Sequence, residues 1–476
     1  MPEGPPRRPR VAVVGGGISG LAAAWFLRHD LGDGVEIAVL ESSPRVGGKL
    51  ATEELAGLSV DSGAESLLHR RPEAVDLARA VGLGDDVVAP ASAGAWLWTR
   101  RGLGALPPRT VLGVPADLRA LGASGALSPA GLARARLDRL LPGAPPRGDV
   151  AVGDLVARRL GREVVDRLVE PLLGAVYAGR ADRLSLRATM PTLATYVARE
   201  RTLVAAARRA LPPATPGEPV FAGLRGGVGR LPDAVAAASR ADVRTGVTVR
   251  RLERTADRAW RLVCGPVPAP EVIEADAVLV AVPAAPAARL LAAAAPAASA
   301  ELATIEYASV AVVALAFPAT ALTSPLRGTG FLVPPAEGRL VKAVTFSSAK
   351  WGWLHDADPG LVVLRASVGR HGEERDLQRA DSDIVHGVVD DLAEAIGVVG
   401  RPVDARVVRW GGGLPQYAVG HLDRVARVRA AVTGVRGLAV CGAALDGVGV
   451  PACVAGAREA ATRLVRELAA GATIGS

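Results

Sequence analysis

The sequence predicts an α/β fold assembled from both ends of the chain, with an antiparallel sheet and a helical segment inserted between them. Three observations predict it. The apolar run Val11–Val14, the glycines after it and the helical stretch Leu21–Leu27 lead into a second strand, Val35–Leu40. That is a β-α-β unit of about thirty residues, and a wholly apolar first strand suits a parallel sheet covered on both faces. Far downstream, Gly437–Cys441 is again a short apolar strand, opening into glycines and a helix over Val454–Leu468. Between them Val310–Phe317, Leu340–Phe346 and Leu361–Val368 suggest an antiparallel sheet.

These elements divide the chain into three expected domains. Residues 1–72, 215–285 and 405–476 form the first, which also takes strand-like segments at Asp242–Leu252, Ala259–Cys264 and Ala277–Val282. Residues 73–99 and 286–404 form a second, sheet-based domain. Residues 100–214 form a third, with helical spacing, few β-branched runs and a proline-rich loop at Leu141–Arg147. A Pro/Arg tail precedes the first strand.

A chain of 476 residues can bury a large core. The formal charge is +8, and only three of its 56 cationic residues are lysines: Lys49, Lys342 and Lys350. Such a balance suits an acidic small substrate or an anionic surface, and codon bias toward Ala, Gly, Val and Arg also produces it. Aromatics are 3% and no basic arm is present, which argues against nucleic acid. Cys264, Cys441 and Cys453 form no CxxC, and the six histidines show no metal-ligand spacing. The apolar N-terminal run is broken by Gly15–Gly20, and Ala277–Pro296 is interrupted by Pro283, Pro286 and Arg289. The expectation is a cytoplasmic protein whose membrane contact is at most peripheral.

Gly15-Gly16-Gly17-Ile18-Ser19-Gly20 is a G-x-G-x-x-G set between strand and helix. Gly15 allows the tight turn, Gly17 lets a pyrophosphate approach the backbone, and Gly20 lets helix pack on strand. The helix N-terminus then offers unpaired N–H groups to the phosphates. Glu41 ends the next strand at about the twenty-residue distance expected for a ribose-binding carboxylate, and its charge would repel a 2′-phosphate. Together these make the first domain Rossmann-like. Arg45-Val46-Gly47-Gly48-Lys49 follows at once and resembles FAD enzymes of the amine-oxidase type more than nicotinamide dehydrogenases. Arg45 is expected near the phosphates. The turn Asp61–Ser66, with Gly63, Ala64, Glu65 and Ser66, is expected along the flavin end. At the far end, Gly442, Ala443 and the run Val448-Gly449-Val450 precede a helix whose N-terminus could stabilise charge on reduced flavin.

Beyond these fingerprints the chain resembles the oxygen-dependent porphyrinogen oxidases, most closely the coproporphyrinogen III oxidases of Gram-positive bacteria. The likeness is carried by Gly63–Pro72 (GAESLLHRRP), Leu168–Pro191 (LVEPLLGAVYAGRADRLSLRATMP), Leu224–Pro232 (LRGGVGRLP), Thr345–Trp353 (TFSSAKWGW), Arg409–Arg424 (RWGGGLPQYAVGHLDR) and Cys441–Cys453, in that order. The resemblance implies FAD as cofactor, contacted by Gly15–Gly20, Glu41, Ser42, Lys49, Gly63–Ser66, Ala443 and Val448–Val450, while Gly48 of the R-x-G-G loop is expected to let the chain pass the dinucleotide. It further implies an adenine contact from Val249 and a flavin-pocket wall from Trp410. Relatives from plants and animals place a propionate-binding arginine at the segment matching Gly94–Leu97, where this chain has none.

The implied activity is six-electron oxidation of coproporphyrinogen III to coproporphyrin III in haem biosynthesis, consuming three O2 and releasing three H2O2. The flavin supplies the hydride chemistry, so no acid–base residue is singled out. Arg70, Arg71 and Lys350 are candidates for the substrate carboxylates, since guanidinium and ammonium groups suit them. Protoporphyrinogen IX oxidation remains open as an alternative. So do an amine oxidase, a carotenoid desaturase and a non-catalytic flavoprotein scaffold. A haem-pathway enzyme is a conceivable partner, and the sequence leaves oligomeric state undetermined.

Overall fold

The computed structural model describes residues 7–140, 145–213, 218–257 and 259–474. The start of the Pro/Arg tail and part of the loop Leu141–Arg147 lie outside them.

Five parallel strands form the first sheet, in the order Asp242–Arg244, Glu36–Leu40, Arg10–Val14, Ala277–Val280, Leu438–Val440. The central strand pairs in unbroken register on both sides, Val11 with Ile37 and Ala277, Val14 with Leu40 and Val280. Its residues alternate between two cores. Val11 and Val13 pack with the helices Ile18–Leu31 and Val450–Ile474, through Leu21, Leu27, Val454 and Leu464. Ala12 and Val14 face a second layer containing Trp260, Leu262, Leu291 and Val428. Two cores explain why the strand is apolar at every position after Arg10. Each fully buried Leu or Val contributes roughly 1.5–3 kcal/mol against the entropy of ordering the chain.

The expected strand over Asp242–Leu252 is two strands. Asp242–Arg244 joins the parallel sheet, and Val249–Arg254 starts an antiparallel layer with Trp260–Cys264 and Glu271–Ala275. Gly246, at φ +71°, makes the corner between them.

A seven-stranded sheet follows, ordered Asp404–Pro415, Tyr307–Pro318, Leu361–Val368, Val341–Phe346, Gly330–Leu332, Trp96–Thr99, Gly102–Ala105. The helix Asp381–Ile396 covers one face through Ile384, Val388 and Leu392. Two of the expected boundaries shift here. Gly102–Ala105 pairs with Trp96–Thr99 by a hairpin and so belongs to the sheet rather than to the helical segment. Asp404–Pro415 pairs along Tyr307–Pro318, so Trp410 comes from this sheet and not from the first domain. Two arginines and three glycines within that strand hide its β pattern. From Leu118 to Ala210 the chain is largely helical around its own core of Leu121, Val156, Leu160, Leu168, Leu173 and Leu203. No helix among the described residues is long and apolar enough to cross a membrane.

Candidate functional site: a dinucleotide cradle closed from three directions

The turn after the first strand divides its glycines by task. Gly15 has φ +108°, and a Cβ there would lie 2.7 Å from the Ala281 carbonyl oxygen. A Cβ on Gly20 would lie 1.9 Å from the Gly15 carbonyl oxygen, so helix and turn touch through bare backbone. Gly17 differs: as N-cap of the helix Ile18–Leu31, it has nothing within 4 Å of where a Cβ would stand. Open space in front of a helix N-terminus, with no acidic residue in the first turn, is what a pyrophosphate needs. Ile18 and Ser19 are buried behind it.

The Arg45–Lys49 loop runs beside this turn, Gly47 N–H donating to the Gly16 carbonyl at 2.8 Å. Gly48, with φ +56°, sits against the Gly17 Cα. The Arg45 guanidinium, expected near the phosphates, donates instead to the carbonyls of Val46, Gly48 and Leu50 at 3.0, 2.9 and 3.3 Å. The turn through two left-handed glycines points those carbonyls at it, so Arg45 braces the loop. Lys49 lies beside Cys453 in the first turn of the C-terminal helix, and burial lowers its pKa. Among the described residues it has no hydrogen-bond or carboxylate partner. Two helix N-termini and an unpaired lysine therefore converge on one open strip of backbone. A phosphate-bearing dinucleotide fits that donor set.

Glu41 accepts from Gly16 N–H through Oε2 at 2.7 Å and from the Ser43 N–H and hydroxyl through Oε1 at 2.7 Å each. Ser42 is exposed, its hydroxyl 3.4 Å from Oε1. The chosen adenine contact, Val249, is half-buried and paired with Cys264. The nearer neighbour of Glu41 is Val247, whose N–H donates to the Glu41 carbonyl at 2.8 Å.

At the flavin end, Gly63 has no room for a side chain: a Cβ would lie 1.9 Å from the Lys49 carbonyl oxygen and 3.4 Å from the Trp410 ring. Trp410 Nε1 donates to the Ser62 carbonyl at 2.8 Å, which brings the tryptophan across from the other sheet. Glu65 turns away from the cradle, while Ala64 and Ser66 stay half-buried. The Glu65 carboxylate accepts from Ser347 Oγ at 2.7 Å and pairs with Arg365 at 2.9 Å and Lys350 at 3.2 Å. Burial alone would raise the Glu65 pKa, but Arg365, Lys350 and the Ser347 hydroxyl together hold it at about 2. Lys350 also donates to Ser66 Oγ at 2.6 Å and Arg365 to the Gly63 carbonyl at 2.6 Å. Thus Lys350, expected to meet a substrate carboxylate, already meets a protein one. Arg70 is exposed, and Arg71 is drawn to Glu73 at 2.7 Å. Of the three proposed carboxylate binders, Lys350 and Arg71 are thus already engaged by carboxylates of the protein.

The far turn approaches from the third side. Gly442 has φ +130° and open space around it, and Val450 begins the C-terminal helix, four residues earlier than the sequence suggests. Behind it, the Tyr417 hydroxyl donates to the Ala443 carbonyl. His421 stacks on Tyr417 at 4.1 Å and meets the Leu445 carbonyl at 3.3 Å. Burial pushes the His421 pKa down to about 4, so the ring is neutral. Val448 packs toward the helical core and Gly449 is exposed. Sequence reasoning missed Arg365, Ser347, Tyr417 and His421. An arginine inside the apolar strand LVVLRASV is the one visible signal among them.

Comparisons with known proteins agree with this geometry. The family described as flavin containing amine oxidoreductase matches residues 18–465. A protein of Mycobacterium tuberculosis named coproporphyrinogen III oxidase is 41% identical over 461 residues, covering 96% of this chain and 97% of its own length. One of the same name from Bacillus subtilis is 32% identical, over 93% of this chain and 95% of its own. A crystal structure of a candidate protoporphyrinogen oxidase from Exiguobacterium superposes with a TM-score of 0.85 at 31% identity, covering 97% of this chain and 99% of that one. With the cradle in place and the family matched along nearly its whole length, the chain belongs to the flavin containing amine oxidoreductases and is an FAD-dependent oxidoreductase.

Proposed function

We propose that the chain oxidises coproporphyrinogen III to coproporphyrin III in haem biosynthesis, passing electrons to three O2 and releasing three H2O2. The observation that carries this reading is full-length likeness to proteins of that name, at 41% and 32% identity. A porphyrinogen is a non-aromatic macrocycle, so removing six electrons and six protons gains aromaticity. Bound FAD supplies hydride acceptance and reoxidation by O2.

The chain's own part is to hold and align. Residues Gly15–Gly20 and Gly48 leave room for the pyrophosphate, and Lys49 answers its charge. Glu41, with Ser42 near it, accepts from ribose hydroxyls once they displace Gly16 or Ser43. Val249 lies toward the adenine, and Gly63–Ser66 with Trp410 border the ring on the substrate side. Gly442, Ala443 and Val448–Val450 present the helix N-terminus to charge on the reduced ring. Residues 1–72, 215–285 and 405–476 act as the FAD-binding part, with the strand Asp404–Pro415 as a shared wall. Substrate lies between the seven-stranded sheet and the helical segment.

Turnover with each porphyrinogen, followed as porphyrin fluorescence and peroxide release, tests the reading. Faster turnover of coproporphyrinogen III is expected. Equal or faster turnover of protoporphyrinogen IX, the activity in the name of the Exiguobacterium neighbour, would replace it.

A further inference from the structure

Lys342 sits in a bulge of the strand Val341–Phe346, between the pairs Val341–Val368 and Ala343–Ser367. It is 5% exposed, and among the described residues its ammonium has no hydrogen bond and no ion pair. Its charged neighbour is another cation, Arg370, itself 8% exposed. Arg370 reaches Glu373 at 3.7 Å and the Val333 carbonyl at 3.3 Å. Glu373 is also held by Arg180, which lies 3.6 Å from Glu170, and Glu170 accepts from Ala181 N–H at 2.7 Å. Three cations against two carboxylates leave one positive charge in excess, on the lysine.

An uncompensated buried charge is costly, and proteins seldom retain one that no anion answers. Burial and Arg370 push the Lys342 pKa down to about 7, which expresses that cost. The position narrows the choice of anion. The helix Glu170–Tyr177 packs on the Lys342 strand. Ala178, which caps the C-terminus of that helix, joins Val310, Trp410 and Leu414 in one apolar cluster, and its carbonyl accepts from His371 N–H at 2.7 Å. The cationic cluster and the flavin-side tryptophan therefore lie along one seam between sheet and helices.

We propose that Lys342 and Arg370, backed by Arg180, form a carboxylate-binding subsite that takes one propionate of the macrocycle. The inference rests on the porphyrinogen reading above. It assigns the anchoring of substrate to residues that span the sheet and the helical segment, in place of Arg70, Arg71 and Lys350.

The test uses flavin-loaded protein and the variants Lys342→Met, Lys342→Arg and Arg370→Gln. Two readouts are taken: steady-state kinetics with coproporphyrinogen III, and fluorescence titration with coproporphyrin III, which keeps the four carboxylates without requiring turnover. Lys342→Met should raise KM and the coproporphyrin Kd about tenfold, the worth of one charge-assisted contact, with a smaller change in kcat. Lys342→Arg should restore most of the affinity, and Arg370→Gln should weaken it even if the methionine variant proves insoluble. Because the lysine is unpaired without ligand, Lys342→Met should also melt no lower than wild type, which a purely structural lysine would not allow. Unchanged Kd in both charge-removing variants, or no coproporphyrin binding by wild type, overturns the subsite. Binding that depends on Lys342 without porphyrinogen turnover would instead overturn the proposed activity and leave the subsite standing.

Discussion

Gly17 and Gly20 are three residues apart and should fail in opposite ways. At Gly17 a side chain would project into open space, so Gly17→Leu should leave the apoprotein folded while filling the place of the pyrophosphate. At Gly20 even a methyl would meet the Gly15 carbonyl, so Gly20→Ala should lower stability by about 1–3 kcal/mol, the range for overpacking. Absorbance near the flavin bands against urea midpoint separates them, and a yellow, fully loaded Gly17→Leu protein would refute the cradle. Both tasks are legible in the sequence because glycine spacing encodes them. The Glu65 role is not, since Arg365 and Ser347 are remote in sequence. Its folded pKa of about 2 lies below the ordinary 4.5, so the stability it contributes is complete above pH 4.5 and is lost as pH falls toward 2. Glu65→Gln should cost about 3–5 kcal/mol at pH 7 by leaving Arg365 and Lys350 buried without their carboxylate. It should also flatten the decline of the urea midpoint between pH 5 and 3. A decline as steep as that of wild type would show that the acid response comes from elsewhere.

Whole elements were legible where their hydrophobic pattern was clean and obscure where charge or glycine interrupts it. Val11–Val14 and Leu361–Val368 read as strands at once, while Asp404–Pro415, with arginine at 406 and 409 and glycine at 411–413, does not. The helical segment presents the converse difficulty, since its spacing marks helices but not what joins them. One joint is Asp138, 1% exposed, which pairs with Arg159 at 2.8 Å and accepts from Val204 N–H at 3.0 Å. It thus ties the helices Val152–Leu160 and Leu203–Ala210 to the turn Leu137–Arg139. Asp138→Ala should cost about 3 kcal/mol, since it takes the carboxylate from a mostly buried guanidinium, which keeps the Arg201 carbonyl at 2.7 Å, and leaves the buried Val204 N–H without its acceptor. The expected measurement is a lower urea midpoint with an unaltered flavin spectrum. Loss of flavin with no loss of stability would mean that this joint acts on the cradle rather than on the helices.

At the scale of the molecule, the parallel sheet gathers strands from residues 10–14, 36–40, 242–244, 277–280 and 438–440, with the remaining domains threaded between. That order is invisible to local patterning, because neither the pairing of Val11 with Ala277 nor that of Val278 with Leu438 leaves a trace in either segment alone. It has a thermodynamic consequence. A ligand lying along Gly17, Lys49 and Val450 touches the first strand–helix unit and the last, so it ties the two ends of the chain together. Binding only the native state stabilises it by about 2.7 kcal/mol at a hundredfold excess over Kd. Heating the loaded protein should therefore release flavin and lose the far-UV signal in one coincident transition, with Tm rising as free FAD is added. The protein stripped of flavin should unfold earlier, with its two chain ends giving way first in hydrogen exchange. Flavin fluorescence that appears well before the far-UV change, at a temperature indifferent to added FAD, would show that the cofactor is held by one chain end alone.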